Sequence, residues 1–139
     1  MRYGLIYDDA NGYSDLVPDI RSGLCRSRVG MRCRQLLGGV MLVAVDGRLD
    51  SIGSECLERL LIPLVAVQSK LLIDLSEAEF IAATGLYLLL MCARAVGSRG
   101  GKLALLVAEG RVARTLRDSG IGALVEVFHD RSAAVCALA

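Results

Sequence analysis

Aromatic and histidine side chains are scarce in this sequence of 139 residues. Trp is absent, the aromatic share is 4%, and the single imidazole belongs to His129. With 54% hydrophobic residues and so few rings, the core must be built mainly from aliphatic side chains. His129 stands beside Asp130, but no Ser or Cys occurs in the sequence context of an activated nucleophile. We therefore expect no enzymatic activity.

The cysteines are too widely spaced for a zinc site. They are odd in number, and no two follow the CxxC spacing: Cys25, Cys33, Cys56, Cys92 and Cys136. Structural zinc sites need closely spaced ligand pairs, so we expect no metal. Without a secretion signal the thiols are expected to be reduced. Helical spacing places Cys56, Cys92 and Cys136 on inward faces, where burial should slow their reactions.

The sequence has neither an excess of one charge nor a recognisable phosphate-binding motif. Its 16 basic and 15 acidic residues argue against binding of nucleic acid along the whole domain. Neither a P-loop lysine nor a GxGxxG motif occurs, and no cofactor is expected. No apolar run is long enough to cross a membrane, and the N-terminal stretch is too short and too acidic for a signal peptide. These observations predict a cytoplasmic protein.

The first 30 residues differ in charge pattern from the rest of the chain. Four aspartates precede residue 20, whereas residues 20–34 hold five arginines and no acidic residue. We expect an N-terminal extension, residues 1–30, that is poorly ordered and neutralises its own charge, followed by one domain, residues 31–139. The alternative is a basic arm that contacts an acidic partner or nucleic acid. We favour the extension over the arm, because no aromatic side chains are interleaved with the arginines for base stacking.

Beyond residue 30, strand patterns alternate with helical patterns. After a first strand that begins at Met31 and a Gly38-Gly39 hairpin signal, four strands are predicted: Val40–Val45, Leu71–Leu75, Lys102–Ala108 and Leu124–Phe128. Four helical segments separate or follow these strands, and Pro63 should kink or end the first helix near Leu61. This alternation calls for right-handed crossovers. It predicts an α/β domain with a four- to five-stranded mixed, mostly parallel sheet and about four helices.

One stretch, Leu71–Gly85, holds a strand, a loop and a helix start in immediate succession. The apolar strand runs into a polar crossover, Ser76–Glu79, and then into small residues before a helix predicted at Thr84–Val96. The first N–H groups of a helix have no partner within it, and this end of the helix dipole is positive. The stretch is therefore a suitable platform for binding.

This stretch holds three short motifs, Asp74-Leu75-Ser76, Phe80-Ile81 and Thr84-Gly85-Leu86, and Gly47–Asp50 adds the pattern Gly-x-Leu-Asp. Together these motifs resemble those of STAS domains, the fold of bacterial anti-sigma factor antagonists. The resemblance covers roughly residues 32–139. The family's Asp-Ser pair, whose serine accepts a phosphate, falls on Ala82 and Ala83.

The resemblance implies a regulator that binds an anti-sigma factor of the serine-kinase, ATPase-like type and so releases a sigma factor. The implied partner-binding residues lie in the loop before the second helix and at the start of the first: Ala82, Ala83, Thr84, Gly85, Leu86 and Asp50. Asp50 or Ser51 should also cap the first helix. Because Ala83 has no hydroxyl, no phosphorylation switch is expected there. Thr84 is the remaining candidate acceptor, although a helix cap is its favoured role.

A second class of function stays open at the same place. The start of the second helix could hold an anion, which would make the chain a nucleotide- or anion-binding regulatory or scaffold module. The sequence also leaves the oligomeric state open, with a homodimer as one alternative.

Overall fold

The computed structural model describes residues 29–139 and, nearer the N-terminus, strands β1 (Tyr3–Asp8) and β2 (Tyr13–Pro18). Both strands lie within the segment that we interpret as an extension. Its boundary at residue 30 and its degree of order stay predictions. The arginines at positions 21, 26 and 28, which the predicted basic arm needs, lie outside the described residues.

Strands and helices alternate beyond residue 29 as the sequence predicts. The strands are β3 (Gly30–Gln35), β4 (Met41–Leu49), β5 (Lys70–Ile81), β6 (Lys102–Leu106) and β7 (Glu126–Phe128). The helices are α1 (Ser51–Val67), α2 (Ala83–Ser98), α3 (Arg111–Ser119) and α4 (Arg131–Leu138). All seven strands form one sheet in chain order, antiparallel from β1 to β4 and parallel from β4 to β7. The five strands β3–β7 and the four helices confirm the predicted α/β architecture.

Apolar side chains cover both faces of the central strands of the sheet. On one face, Val43, Ile73 and Leu105 pack with the buried residues of α1, α2 and α3. On the other face, Leu42, Leu72 and other apolar residues of the central strands pack under α4. Strands buried on both faces read as continuous apolar runs, which explains why they are visible in the sequence.

The turn between β3 and β4 confirms the hairpin signal. Gly38 and Gly39 have φ values of 82° and 79°, a region that side chains disfavour. They reverse the chain, so that Gln35 lies opposite Met41 in the antiparallel pair.

The interpretation of Ser76–Glu79 as a loop is wrong. These residues continue β5 to Ile81, because the second half of the strand pairs in parallel with Asp46–Leu49 of β4. Two register shifts interrupt the pairing, and they break the period-two alternation that would have identified a strand. The sequence pattern therefore looks polar and irregular although the backbone is extended.

Several element ends also differ from the predictions. Strand β4 continues to Leu49 instead of Val45, and β6 ends at Leu106 instead of Ala108. Helix α1 continues past Pro63 to Val67. A proline inside a helix costs about 3 kcal/mol, but Pro63 is exposed while Leu61 and Val65 on either side are buried in the core. At the last strand, Leu124 is 69% exposed and follows a short 3-10 turn, so β7 begins only at Glu126.

The cysteines follow the predictions in part. Cys33 and Cys92 are buried, but Cys136 is exposed, so its placement on an inward face is wrong. Cys56 is buried and disulfide-bonded, so the expectation of reduced thiols is wrong at this position. Within the described part of the chain, no helix is long and apolar enough to cross a membrane.

We expect two of the free thiols to react at very different rates. Burial, and then the nearby Glu58 carboxylate, raise the pKa of Cys92 to about 11 from 9.0. At pH 8 this lowers its thiolate fraction about a hundredfold relative to an ordinary thiol. Alkylation of the folded protein followed by peptide mass spectrometry should therefore modify Cys136 first. Rapid modification of Cys92 in the native state would contradict its placement in the core.

Candidate functional site: the start of helix α2

The loop between β5 and α2 lies beside the turn between β4 and α1. Strand β5 ends at Ile81, Ala82 caps the next helix without a side-chain hydrogen bond, and α2 begins at Ala83. The Ala82 N–H donates to the carbonyl of Leu49 at 2.9 Å, so the loop is attached to the end of β4. Since β4 and β5 are parallel neighbours, both loops emerge at the carboxyl edge of the sheet.

Two glycines allow this close approach. A Cβ at Gly85 would lie 2.8 Å from Ile81 Cγ1 and 3.2 Å from both the Leu49 carbonyl oxygen and Ser54 Oγ. A Cβ at Gly53 would lie only 2.0 Å from the carbonyl oxygen of Arg48. The first turns of α1 and α2 therefore pack closely against the backbone at the end of β4. This close packing leaves the two turns little room to move.

Asp50 caps helix α1, as predicted. Its Oδ1 accepts a hydrogen bond from the Gly53 N–H at 2.8 Å. The side chain is half-buried, so much of it is committed to this structural role. Asp50 therefore contributes to the candidate site mainly by fixing the turn between β4 and α1.

The favoured role of Thr84 as a helix cap is wrong. Thr84 lies inside the first turn of α2, and its hydroxyl donates to Ser54 Oγ at 3.4 Å. Ser54 in turn donates to the Leu49 carbonyl at 3.3 Å. Ser54 is 4% exposed and was not recognised from the sequence, although a polar residue on the inward face of α1 needs such a partner. The two hydroxyls connect the first turns of α1 and α2.

The structure brings the six predicted site residues to one edge of the sheet, with different exposure. Ala83 and Thr84 are exposed, and Ala82 and Asp50 are half-buried. Gly85 is buried, and Leu86 packs partly against the main core. The surface that another molecule can contact at this loop is therefore centred on Ala83 and Thr84.

A sequence model of the STAS domain matches residues 34–134, which is most of the chain. The chain belongs to the STAS domain family. None of the curated proteins matches it in sequence.

Solved structures share the STAS fold with this chain at low sequence identity. An anti-sigma factor antagonist from Mycobacterium paratuberculosis is 23% identical over 79% of this chain and 93% of that chain, with a TM-score of 0.72. The anti-sigma factor antagonist SpoIIAA, a Bacillus cell fate determinant, is 15% identical in its unphosphorylated form over 78% of this chain and 96% of that chain, with a TM-score of 0.62. The murine anion transporter Slc26a9 also matches, at 19% identity and a TM-score of 0.64, over 76% of this chain but 18% of that chain.

An apolar groove runs from the start of α2 along the outer surface of this STAS domain. It lies between α1 and α2, has a volume of about 820 Å³, and includes Ala83 and Thr84 at one end. Tyr87, which is 64% exposed, and Met91, which is 43% exposed, line its α2 side. These two residues were not predicted as site residues, although apolar residues on the outward face of an amphipathic helix are a usable signal.

The His129-Asp130 pair does not have the geometry of a catalytic dyad. The imidazole Nδ1 lies 3.0 Å from the carbonyl oxygen of Val107 and 3.8 Å from Glu109 Oε1. The Asp130 carboxylate instead accepts the Ala133 N–H at 3.1 Å and caps α4. Asp130 therefore has a structural role in the last helix.

Proposed function

We propose that this STAS domain acts as an anti-sigma factor antagonist that works by protein binding. Its partner is an anti-sigma factor of the serine-kinase, ATPase-like type, and binding of the loop at Ala82–Leu86 releases the sigma factor. The proposal assigns no enzymatic step and no cofactor to the chain. It includes no nucleic-acid partner and leaves a homodimer open.

The observation that carries the proposal is the exposed pair Ala83 and Thr84 on a rigid platform. Hydrogen bonds and close backbone contacts hold the first turns of α1 and α2 together, so the pair is presented in one geometry. A preorganised surface loses little conformational entropy on binding. Small side chains at Ala82, Ala83 and Gly85 also let a partner approach the backbone closely.

Phosphorylation is not the proposed means of control. SpoIIAA is known in phosphorylated and unphosphorylated forms. The motif resemblance aligns Ala83, which has no hydroxyl, with the family's acceptor serine. A phosphoserine would add nearly two negative charges at the start of α2. Without that switch, binding is constitutive and is controlled through expression or another input.

Release of a sigma factor is the direct test. A purified complex of sigma factor and anti-sigma factor from the same cell, with a fluorescent label on the sigma factor, is titrated with this STAS domain. We expect the anisotropy of the label to fall as the sigma factor is released, at a ratio of one STAS domain to each anti-sigma protomer. If the complex stays intact with every kinase-type anti-sigma factor of the cell, the proposal is wrong.

We expect no phosphate transfer to the natural protein from its anti-sigma kinase. After incubation with kinase and ATP, intact-mass spectrometry should show an unmodified chain. The matched control is Ala83→Ser, which restores a hydroxyl at an exposed position and should become phosphorylated. A stoichiometric phosphate on Thr84 of the natural protein would show instead that the acceptor has moved by one residue.

The second candidate function is binding of a nucleotide or another anion. Helix α2 begins without any side-chain cap, so its first N–H groups are available to a phosphate. Calorimetric titration with ATP and GTP separates the two candidates. Micromolar affinity for either nucleotide, together with no effect on the sigma complex, would favour a nucleotide-binding module.

A further inference from the structure

The α1–α2 groove has the length and openness of a site for a helix. Its lining residues recur at helical spacing, from Ser51 to Ala66 on α1 and from Ala83 to Ala95 on α2. At 1.5 Å per residue the groove is about 20 Å long, or about four helical turns. A small-molecule site normally encloses most of its ligand, whereas this groove has exposed side chains such as Tyr87 along its edge.

The groove carries charge of one sign. Glu55 and Glu58 on α1 line it, and among the described residues no lysine or arginine does. Glu55 forms an exposed salt bridge with Arg59 at the long distance of 3.9 Å. Such a salt bridge contributes little free energy in water. Glu58 lies close enough to Cys92 on α2 to contribute to the raised pKa of that thiol, which indicates that its charge acts across the groove. The site therefore favours a cationic occupant.

The apolar residues of the groove suit the hydrophobic face of a helix. Ile62 and Val65 contribute from α1, and Tyr87, Leu88 and Met91 contribute from α2. Methionine adapts to irregular partners, and tyrosine is a frequent anchor of interfaces. An amphipathic helix inserts apolar side chains at i, i+3, i+4 and i+7 into grooves of this kind.

We infer that the α1–α2 groove binds a basic amphipathic helix of the same protein partner that contacts Ala83 and Thr84. The inference rests on the proposed function, because the groove is continuous with the loop assigned to the anti-sigma factor. The apolar face of the partner helix packs between α1 and α2, and its lysines or arginines lie along Glu55 and Glu58. The loop and the groove then form one extended docking surface.

A synthetic peptide tests the groove independently of any partner. We use a 14-residue amphipathic peptide of Leu and Lys and its matched Leu and Glu counterpart, with the protein labelled at the methionine methyl groups. The Lys peptide should shift the Met91 signal saturably while the buried Met31 signal stays constant, and the Glu peptide should bind at least about tenfold more weakly. Equal binding of both peptides, or shifts that spare Met91, would overturn the inference.

Charge reversal gives a matched pair of variants. Glu58→Lys should weaken the Lys peptide about tenfold, and Tyr87→Ala by a similar factor, because each removes one element of the groove. Glu77→Lys makes the same charge change at an exposed position of β5 outside the groove, and should alter the affinity less than about twofold. A similar loss of affinity in the Glu58 and Glu77 variants would mean that only net charge matters, which would overturn the inference.

A measurement without peptide tests whether the groove binds a second copy of the chain. A Met91 shift that depends on protein concentration would assign the groove to that second copy instead.

The anti-sigma factor distinguishes this inference from the proposed function. If Ala83→Glu and Glu58→Lys both weaken its binding, loop and groove form one surface. If only Ala83→Glu does so, the proposed function stands and the groove has no part in it. If only Glu58→Lys does so, the groove carries the interaction and the role assigned to the loop is wrong. If neither does so, both proposals fail.

Discussion

Ala83→Glu should abolish or strongly weaken binding of the anti-sigma factor while the STAS domain stays folded. Ala83 is exposed at the first position of α2, and the substitution places a carboxylate in a contact that loses its water. An unpaired charge in an interface costs roughly 2–5 kcal/mol of binding free energy. The same carboxylate lies at the positive end of the helix dipole, which should add about 0.3–1 kcal/mol to the free energy of unfolding.

These opposite signs separate a binding role from a structural one. Calorimetry with the purified anti-sigma factor gives the change in affinity, and urea denaturation gives the change in stability. Ala83→Ser serves as the control and is measured without ATP, so that the kinase cannot phosphorylate it. Because this variant adds only a hydroxyl, it should bind the anti-sigma factor nearly as well as the natural protein. A folded Ala83→Glu variant with unchanged affinity would exclude the loop from the interface. Because the new charge also repels phosphate, ATP and GTP must be titrated in parallel.

Gly53→Ala should destabilise the protein by about 3 kcal/mol, at the upper end of the usual cost of overpacking. The new Cβ would lie 2.0 Å from the Arg48 carbonyl oxygen and 2.9 Å from Val29 Cγ2. A backbone oxygen cannot rotate away as a side chain does, so the turn between β4 and α1 must move. That turn includes the Asp50 cap and the Leu49 carbonyl that holds Ala82. Anti-sigma binding should therefore weaken together with stability.

Gly97→Ala is the matched control for this substitution. Gly97 lies near the end of α2, and a Cβ there meets no atom within 4 Å. Alanine in place of glycine within a helix stabilises by up to about 1 kcal/mol, so the midpoint of urea denaturation should rise. Equal midpoints for the two variants would show that the contact between Gly53 and Arg48 is not the reason for glycine at position 53.

The fold could be predicted because most of its strands have a recognisable sequence pattern. The buried strands read as apolar runs, and the hairpin needs two glycines with positive φ. The second half of β5 could not be predicted, because its pairing depends on Asp46–Leu49, a segment distant in the chain. Long-range pairing of this kind overrides local composition. The end of α1 was missed for a related reason, since the packing of Leu61 and Val65 outweighs the effect of Pro63.

The candidate site was located from the sequence, but its internal connections were not. Motifs place Ala82–Leu86 at the start of α2, and the structure has them there. The hydrogen bond from Thr84 to Ser54 joins residues 30 positions apart, so no local pattern indicates it. Ser54 extends this connection by donating to the Leu49 carbonyl at the end of β4. The groove likewise requires two helices side by side, which a single amphipathic pattern cannot show.

The exposure of Ala83 has a consequence for how STAS domains of this kind diverge. Its side chain is exposed, while the backbone on either side is held by Ala82 and Gly85. The fold therefore imposes almost no selection on whether a methyl or a hydroxymethyl group stands at this position. Alanine codons differ by a single base from the TCN codons of serine. Under the proposed function, a lineage could therefore lose or regain a phosphate acceptor at this position in one mutational step. Regulation and folding are thereby able to evolve independently on the same scaffold.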